Sequence, residues 1–310
     1  MKINRRAFIK QSAIGASGVV FASRMGGMAA DAQIAQTSSA PLYHDPFAHV
    51  EIGKTGMKWT RMCIGTGVHG GNRQSNQTRM GKEKFTELLQ AAFDRGVRVF
   101  DLADLSGTHP YLIPALKSVP RKDYAIISKI WFRKGGIPDA DRPDADIVIN
   151  RFLKEIGTDY LDLVLLHCVE SPKWNKDLEK QMEIMENLKQ KGVIRAHGVS
   201  CHSLEALETA ASEPWVDSVH ARINPYGMVM DGPADKVAPV LQKIKAAGKT
   251  VVGMKLVGEG RLRNDEDRRS ESIKYVLGLG CVDILNVGFE KPEEIDDFTG
   301  RVRKVKRDTA

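Results

Sequence analysis

Several features that would assign a function class at once are missing from this chain. It has four cysteines in 310 residues (Cys63, Cys168, Cys201 and Cys281), none in a Cys-x-x-Cys pair or a His-containing cluster. That pattern argues against a zinc or iron–sulfur centre, so no metal site is expected. Each cysteine lies in or beside an apolar run. They read as buried thiols rather than a disulfide framework, even in a compartment that would permit one. No Gly-x-Gly-x-x-Gly follows the first strand-like run, and "GTGVHGG" at 65–71 has a different spacing. A doubly wound dinucleotide-binding domain is thereby disfavoured. No uninterrupted apolar run is long enough to cross a bilayer. A broad basic surface is missing as well. The net charge is +7, but residues 1–32 hold Lys2, Arg5, Arg6, Lys10 and Arg24 against Asp31 alone. The basic tail (Arg301, Arg303, Lys304, Lys306, Arg307) reads as a solvated helix face, because a nucleic-acid patch needs more spread and aromatic partners.

What is present begins with a targeting segment. "NRRAFIKQSA" carries paired arginines followed by Phe8, Ile9 and Lys10, and a Gly/Ala-rich, weakly apolar stretch leads to "ADA" at Ala30–Ala32. This resembles a twin-arginine export signal with a small-x-small cleavage pattern. The expectation is a periplasmic or otherwise exported protein that engages the twin-arginine machinery and has no stable membrane span after cleavage. Residues 1–36 are assigned to the signal and the start of a linker, and 37–310 to the folded domain. "TSSAPLYHDPFA" reads as linker, and "HVEIGKTGMKWT" as two short strands around a Gly-containing turn.

From residue 61 the pattern is regular. Apolar runs at 61–66, 97–103, 124–131, 160–168, 194–200, 216–223, 250–256 and 282–288 alternate with amphipathic stretches at 82–95, 108–118, 143–156, 176–191, 203–212, 234–247, 267–278 and 291–306. Continuously apolar strands are buried on both faces, and eight such βα units predict an α/β fold, a (β/α)8 TIM barrel with an N-terminal β-hairpin. In a barrel, function sits at the C-terminal strand ends. Those ends carry Asp101, Lys129, His167, Ser200 with Cys201, His220 with Asn224, Met254 with Lys255, and Gly288. Buried charges are costly unless paired, so an Asp and a Lys on neighbouring strands are expected to pair.

These residues carry a resemblance to the aldo-keto reductases over about residues 50–298. "EIGKTGMKWTRMCIGTG" resembles the family's hairpin and first strand, "GVRVFDLAD" its second strand, "IISKIW" its third, "GTDYLDLVLLHCVES" its fourth, and "KGVIRAHGVSCHS" the segment that holds a nicotinamide carboxamide. "GKTVVGMKLVGEG" is similar to a Met-Lys-Pro-Leu-type variant of a divergent branch, without the ferredoxin-like cysteine cluster that often ends that branch. The resemblance implies Asp101, Lys129 and His167 as catalytic residues. It also exposes a gap. The family's Asp-x-Ala-x-x-Tyr supplies a tyrosine as proton donor, whereas here Asp101-Leu102-Ala103-Asp104-Leu105 is followed by Ser106, and the nearest tyrosine is Tyr111. Ser106 therefore occupies the donor's position, with His167, Lys129 or a bound water as substitute acid and His167 the natural candidate.

By the same resemblance the cofactor would be NADP or NAD, contacted by Ser200, Cys201, His220, Met254, Lys255, Gly288, Glu290, Lys291 and Glu294. Glu290 would repel a 2′-phosphate and Lys291 would attract one, and a helix N-terminus after Gly288 could hold phosphate. Trp131, Phe132 and Tyr226 are offered as substrate lining. The implied activity is hydride transfer between NAD(P)H and a small carbonyl or hydroxyl substrate. Two other readings stay open: a non-redox lyase or isomerase acting on a sugar-like substrate, with Lys129, Lys255 and His167 as acid and base, and a non-catalytic binding barrel.

Overall fold

The computed structural model describes residues 42–307. The export signal expected at 1–36 lies outside the described residues. The hairpin comprises β1 (His49–Glu51) and β2 (Lys58–Thr60), antiparallel with Val50 opposite Trp59. Eight parallel strands follow: β3 (Met62–Gly65), β4 (Val99–Asp101), β5 (Ala125–Ile130), β6 (Leu163–Val169), β7 (His197–Cys201), β8 (Ser218–Arg222), β9 (Thr250–Met254) and β10 (Ile284–Gly288). They close in sequence order, β10 pairing with β3 through Leu285 opposite Met62 and Asn286 opposite Cys63. The expected (β/α)8 barrel with its hairpin is the fold.

Strand side chains alternate between two environments. Outward residues such as Phe100, Ile126, Val164, Val199, Val251 and Leu285 join the core beneath the helices. Inward residues Cys63, Val99, Ile127, Leu163, Leu165, Val252 and Ile284 fill the barrel in apolar layers. Ile52 and Trp59 of the hairpin, both buried, pack into that inner core and close the N-terminal end. The layers are tight enough to exclude a side chain at one point: a Cβ on Gly198 would lie 1.9 Å from the Ser218 carbonyl oxygen.

The linker expectation needs correcting from Leu42 onward. His44 N–H donates to the Val305 carbonyl at 3.0 Å, Arg307 N–H to Leu42 at 2.7 Å, and Tyr43 bridges Lys306. These bonds tie the segment to the C-terminal tail. They also explain why the last helix runs Pro292–Val302 and stops short of the expected 306, since residues 305–307 are used as a backbone partner. All four cysteines are buried and unpaired. Among the described residues no helix is long and apolar enough to cross a membrane, and no group of three or more His, Cys, Asp or Glu side chains could hold a metal ion.

Candidate active site

The inward positions at the C-terminal strand ends converge on one open cavity of about 630 Å3. At its floor Asp101, the last residue of β4, pairs with Lys129 of β5. Both are nine-tenths or more buried. Lys129 Nζ also donates to the Leu102 carbonyl at 3.0 Å. The other Asp101 oxygen accepts from Asn286 Nδ2 at 2.5 Å, so the carboxylate is fixed from two sides. Asn286 sits two residues before Gly288 on β10, and a Cβ on Gly65 would come within 2.7 Å of its Oδ1. That glycine is what lets the amide reach across. Sequence reasoning missed Asn286. The signal was a lone polar residue at the inward period inside "ILNVG".

His167 ends the inward row of β6 and lines the cavity. Its ring stands edge-on to Trp131 with centroids 5.3 Å apart. Burial, reinforced by Lys129 and the neighbouring His202 and His220, holds its pKa well below the usual imidazole value. The ring is therefore neutral near pH 7. His202 is held down to about 3, chiefly by burial and then by Arg222. Its Nε2 lies 3.5 Å from the Cys168 sulfur, and burial pushes that thiol up to about 11. Ser200 Oγ accepts the Cys168 N–H at 3.2 Å, which leaves its own hydroxyl hydrogen for a ligand. Arg222, at the end of β8, was also missed. Its guanidinium is clamped on Asp231, whose side chain is fully buried, and donates to the His202 carbonyl at 3.3 Å.

Ser106 lines the cavity from a short 3-10 turn, Asp104–Ser106. Its hydroxyl lies under the Gly67–Gly70 turn, where a Cβ on either glycine would approach Oγ within 2.7 Å. Asp104 in the same turn is an anchor: it accepts from Arg73 Nε at 3.0 Å and from Arg151 at 3.0 and 2.7 Å. Tyr111 falls in the helix His109–Ala115 with its ring on Phe85, 4.8 Å between centroids. None of the chain's six tyrosines lines the cavity.

Met254, Lys255, Gly288, Glu290 and Glu294 also contribute to the cavity wall. Lys255 and Glu259, both with positive φ, pair with each other. Glu290 accepts from Asn76 Nδ2 at 2.6 Å and faces Arg263 at 3.0 Å. Glu294 accepts the Glu290 backbone N–H at 2.8 Å.

Three of the sequence-assigned cofactor residues fall elsewhere. Cys201 follows inward Ser200, so the strand alternation turns it outward into the helix-side core. His220 is inward but lies below the cavity, beside Asp101 at 3.8 Å. Burial holds it at about 3, and both its ring nitrogens lack a partner. Lys291 precedes the last helix, is exposed, and lines a neighbouring pocket that shares Glu290 and Glu293 with the cavity. None of Trp131, Phe132 and Tyr226 lines the cavity; the Trp131 ring N–H donates to the Gly135 carbonyl at 2.6 Å and the Tyr226 hydroxyl to Glu271 at 2.6 Å.

Comparisons with known proteins agree with this fold. The solved holo form of the aldo-keto reductase AKR11C1 from Bacillus halodurans superposes with a TM-score of 0.64 at 17% identity, covering 84% of this chain and 92% of that one. The aldo-keto reductase YhdN of Bacillus subtilis is 26% identical over 198 residues, 62% of this chain and 57% of that protein. The NADH-specific methylglyoxal reductase of Escherichia coli is 23% identical over 171 residues, 49% of this chain and 51% of that protein. The chain thus spans little more than half the length of these two curated relatives. The family model described as "Aldo/keto reductase family" matches residues 61–279, from the first barrel strand through the helix that precedes the last, and the chain belongs to that family.

Proposed function

We propose that this protein is a nicotinamide-dependent oxidoreductase that interconverts a small carbonyl compound and its alcohol. The observation that carries this reading is the Asp101–Lys129 pair, fixed by Asn286, at the floor of a cavity that His167 also lines. Such a cavity has the size of a site for a compact organic ligand. Its unspent groups suit a nicotinamide cofactor. The Ser200 hydroxyl hydrogen and Asn286 Oδ1 lack protein partners, and Met254 offers an apolar wall. A Cβ on Gly288 would strike Val68 at 2.2 Å, so packing there admits only glycine at the end of β10. When bound, the cofactor supplies or accepts the hydride. Ser200 would hold the carboxamide, Met254 would cover the ring, and Gly288, Glu290 and Glu294 would flank the adenosine end. His167, neutral and lining the cavity, orients the substrate oxygen by hydrogen bonding.

Ser106 stands where the family resemblance places a tyrosine. A hydroxyl tucked under Gly67 and Gly70 is a poor acid, and loss of general acid catalysis typically lowers rates about 10²–10⁴-fold. One observation favours the non-redox alternative: with no tyrosine in the cavity, Lys129 and His167 remain as acid–base groups. The similarity to methylglyoxal reductases supports a small aldehyde as substrate. Export is part of the proposal and rests on Arg5, Arg6 and the Ala30–Ala32 pattern. Replacing both arginines by lysine should retain the protein in the cytoplasm on fractionation.

The first test is on protein purified from the compartment where it accumulates. It is denatured, released nicotinamide is sought by absorbance and mass, and the stripped protein is titrated with NADPH and NADH by fluorescence. Bound cofactor or tight rebinding supports the oxidoreductase. No release and no binding up to millimolar concentration refutes it.

A further inference from the structure

Most polar groups that line the cavity are already committed or neutral. His167 and His202 are neutral. The Cys168 thiol is pushed up and faces the His202 ring. Arg222 is clamped on Asp231 and Lys255 is paired with Glu259. The Ser106 hydroxyl is packed against backbone. Lys129 differs. An ammonium has three N–H donors, and here one goes to Asp101 and one to the Leu102 carbonyl. The third has no partner among the described residues, and this buried side chain lines the cavity.

We infer that Lys129 is itself the proton donor to the substrate oxygen, rather than a helper to another acid. The inference rests on the redox reading above. A bound reduced nicotinamide would supply the hydride to the carbonyl carbon, and the carbon–oxygen π pair would then move onto oxygen. That oxygen takes the third Nζ proton. The amine left behind keeps its hydrogen bond to Asp101 and regains a proton from water at the cavity mouth. In the oxidative direction the amine receives the hydroxyl proton. Asp101, held by Asn286, is a positioning residue: it fixes where the third N–H points.

The experiment uses the full protein, native and with Lys129→Ala or Lys129→Arg. NADH and NADPH binding is read by fluorescence, and reduction of methylglyoxal and 4-nitrobenzaldehyde by cofactor absorbance. Both variants are expected to bind cofactor within about threefold of native and to lose about 10²–10⁴-fold in turnover, the range for a lost general acid. Lys129→Arg keeps the charge but gives up a proton poorly, so its loss separates proton transfer from electrostatics. Added primary amines should restore turnover to Lys129→Ala with a rate that follows amine acidity. Turnover within tenfold of native in Lys129→Arg overturns the inference. So does amine rescue that ignores amine pKa, and so does a native protein that binds cofactor yet reduces neither aldehyde. Native protein that binds no nicotinamide overturns the redox reading itself.

Discussion

Removing the positive half of the buried pair should be more damaging than removing both halves. Lys129→Met deletes an ammonium that is 5% exposed and leaves Asp101, 4% exposed, with one strong hydrogen bond from Asn286. Breaking a buried pair by deleting one partner costs about 3–5 kcal/mol, because the other charge stays desolvated. The methionine restores apolar contact worth roughly 1 kcal/mol. The expected net loss is about 2–4 kcal/mol, read as a shift in the urea midpoint at unchanged m value. Adding Asp101→Asn to Lys129→Met removes the orphaned charge and should recover about half of that loss or more, a positive coupling of at least ~1 kcal/mol. Purely additive single effects, or a Lys129→Met variant within 0.5 kcal/mol of native, would refute the view that the floor is held by a desolvated ion pair.

Three other outcomes follow from the same structure. Arg222→Ala strands fully buried Asp231, whose Oδ2 already lacks a partner, and should lower stability by about 3–5 kcal/mol; Asp231→Asn in the same chain should restore part of the melting temperature. Gly65→Ala places a methyl 2.7 Å from Asn286 Oδ1, costing about 1–3 kcal/mol by overpacking, and should lower kcat more than it raises KM, a split seen in steady-state kinetics. His202 and His220 are each held at about 3, below the free value near 6.5. The unfolded chain then binds more protons, so their contribution is intact above pH 6.5 and is lost as pH falls toward 3, by about 1.4 kcal/mol per pH unit per ring. His202→Asn should flatten that slope by about one proton, and an unchanged slope in denaturation across pH 4–6.5 would contradict the assignment.

The fold was legible because eight apolar runs with intervening amphipathic stretches admit few solutions, and the strand ranges agree with the observed ones within a few residues. The catalytic-type residues were legible as charges ending apolar runs: Asp101 and Lys129 pair as neighbouring strands require. The errors came from treating strand ends as segments rather than as alternating faces. Ser200 and Cys201 are adjacent in sequence, yet one faces the cavity and the other the helices. Counting by twos from His220 reaches Arg222, and counting back by two from Gly288 reaches Asn286, and both contribute to the site wall. Lys291 could not be placed from sequence because it lies on the turn before a helix, where no period applies. The linker reading failed for a different reason. A polar segment without periodicity looks loose until its backbone partner, here the chain's other end, is known.

The hairpin that seats Ile52 and Trp59 in the barrel's lower end also has a consequence for access. Among the described residues it plugs the barrel at the end away from the cavity, so a ligand of that cavity approaches from the side of the C-terminal strand ends. A stopper at one end is what makes the other end the working face.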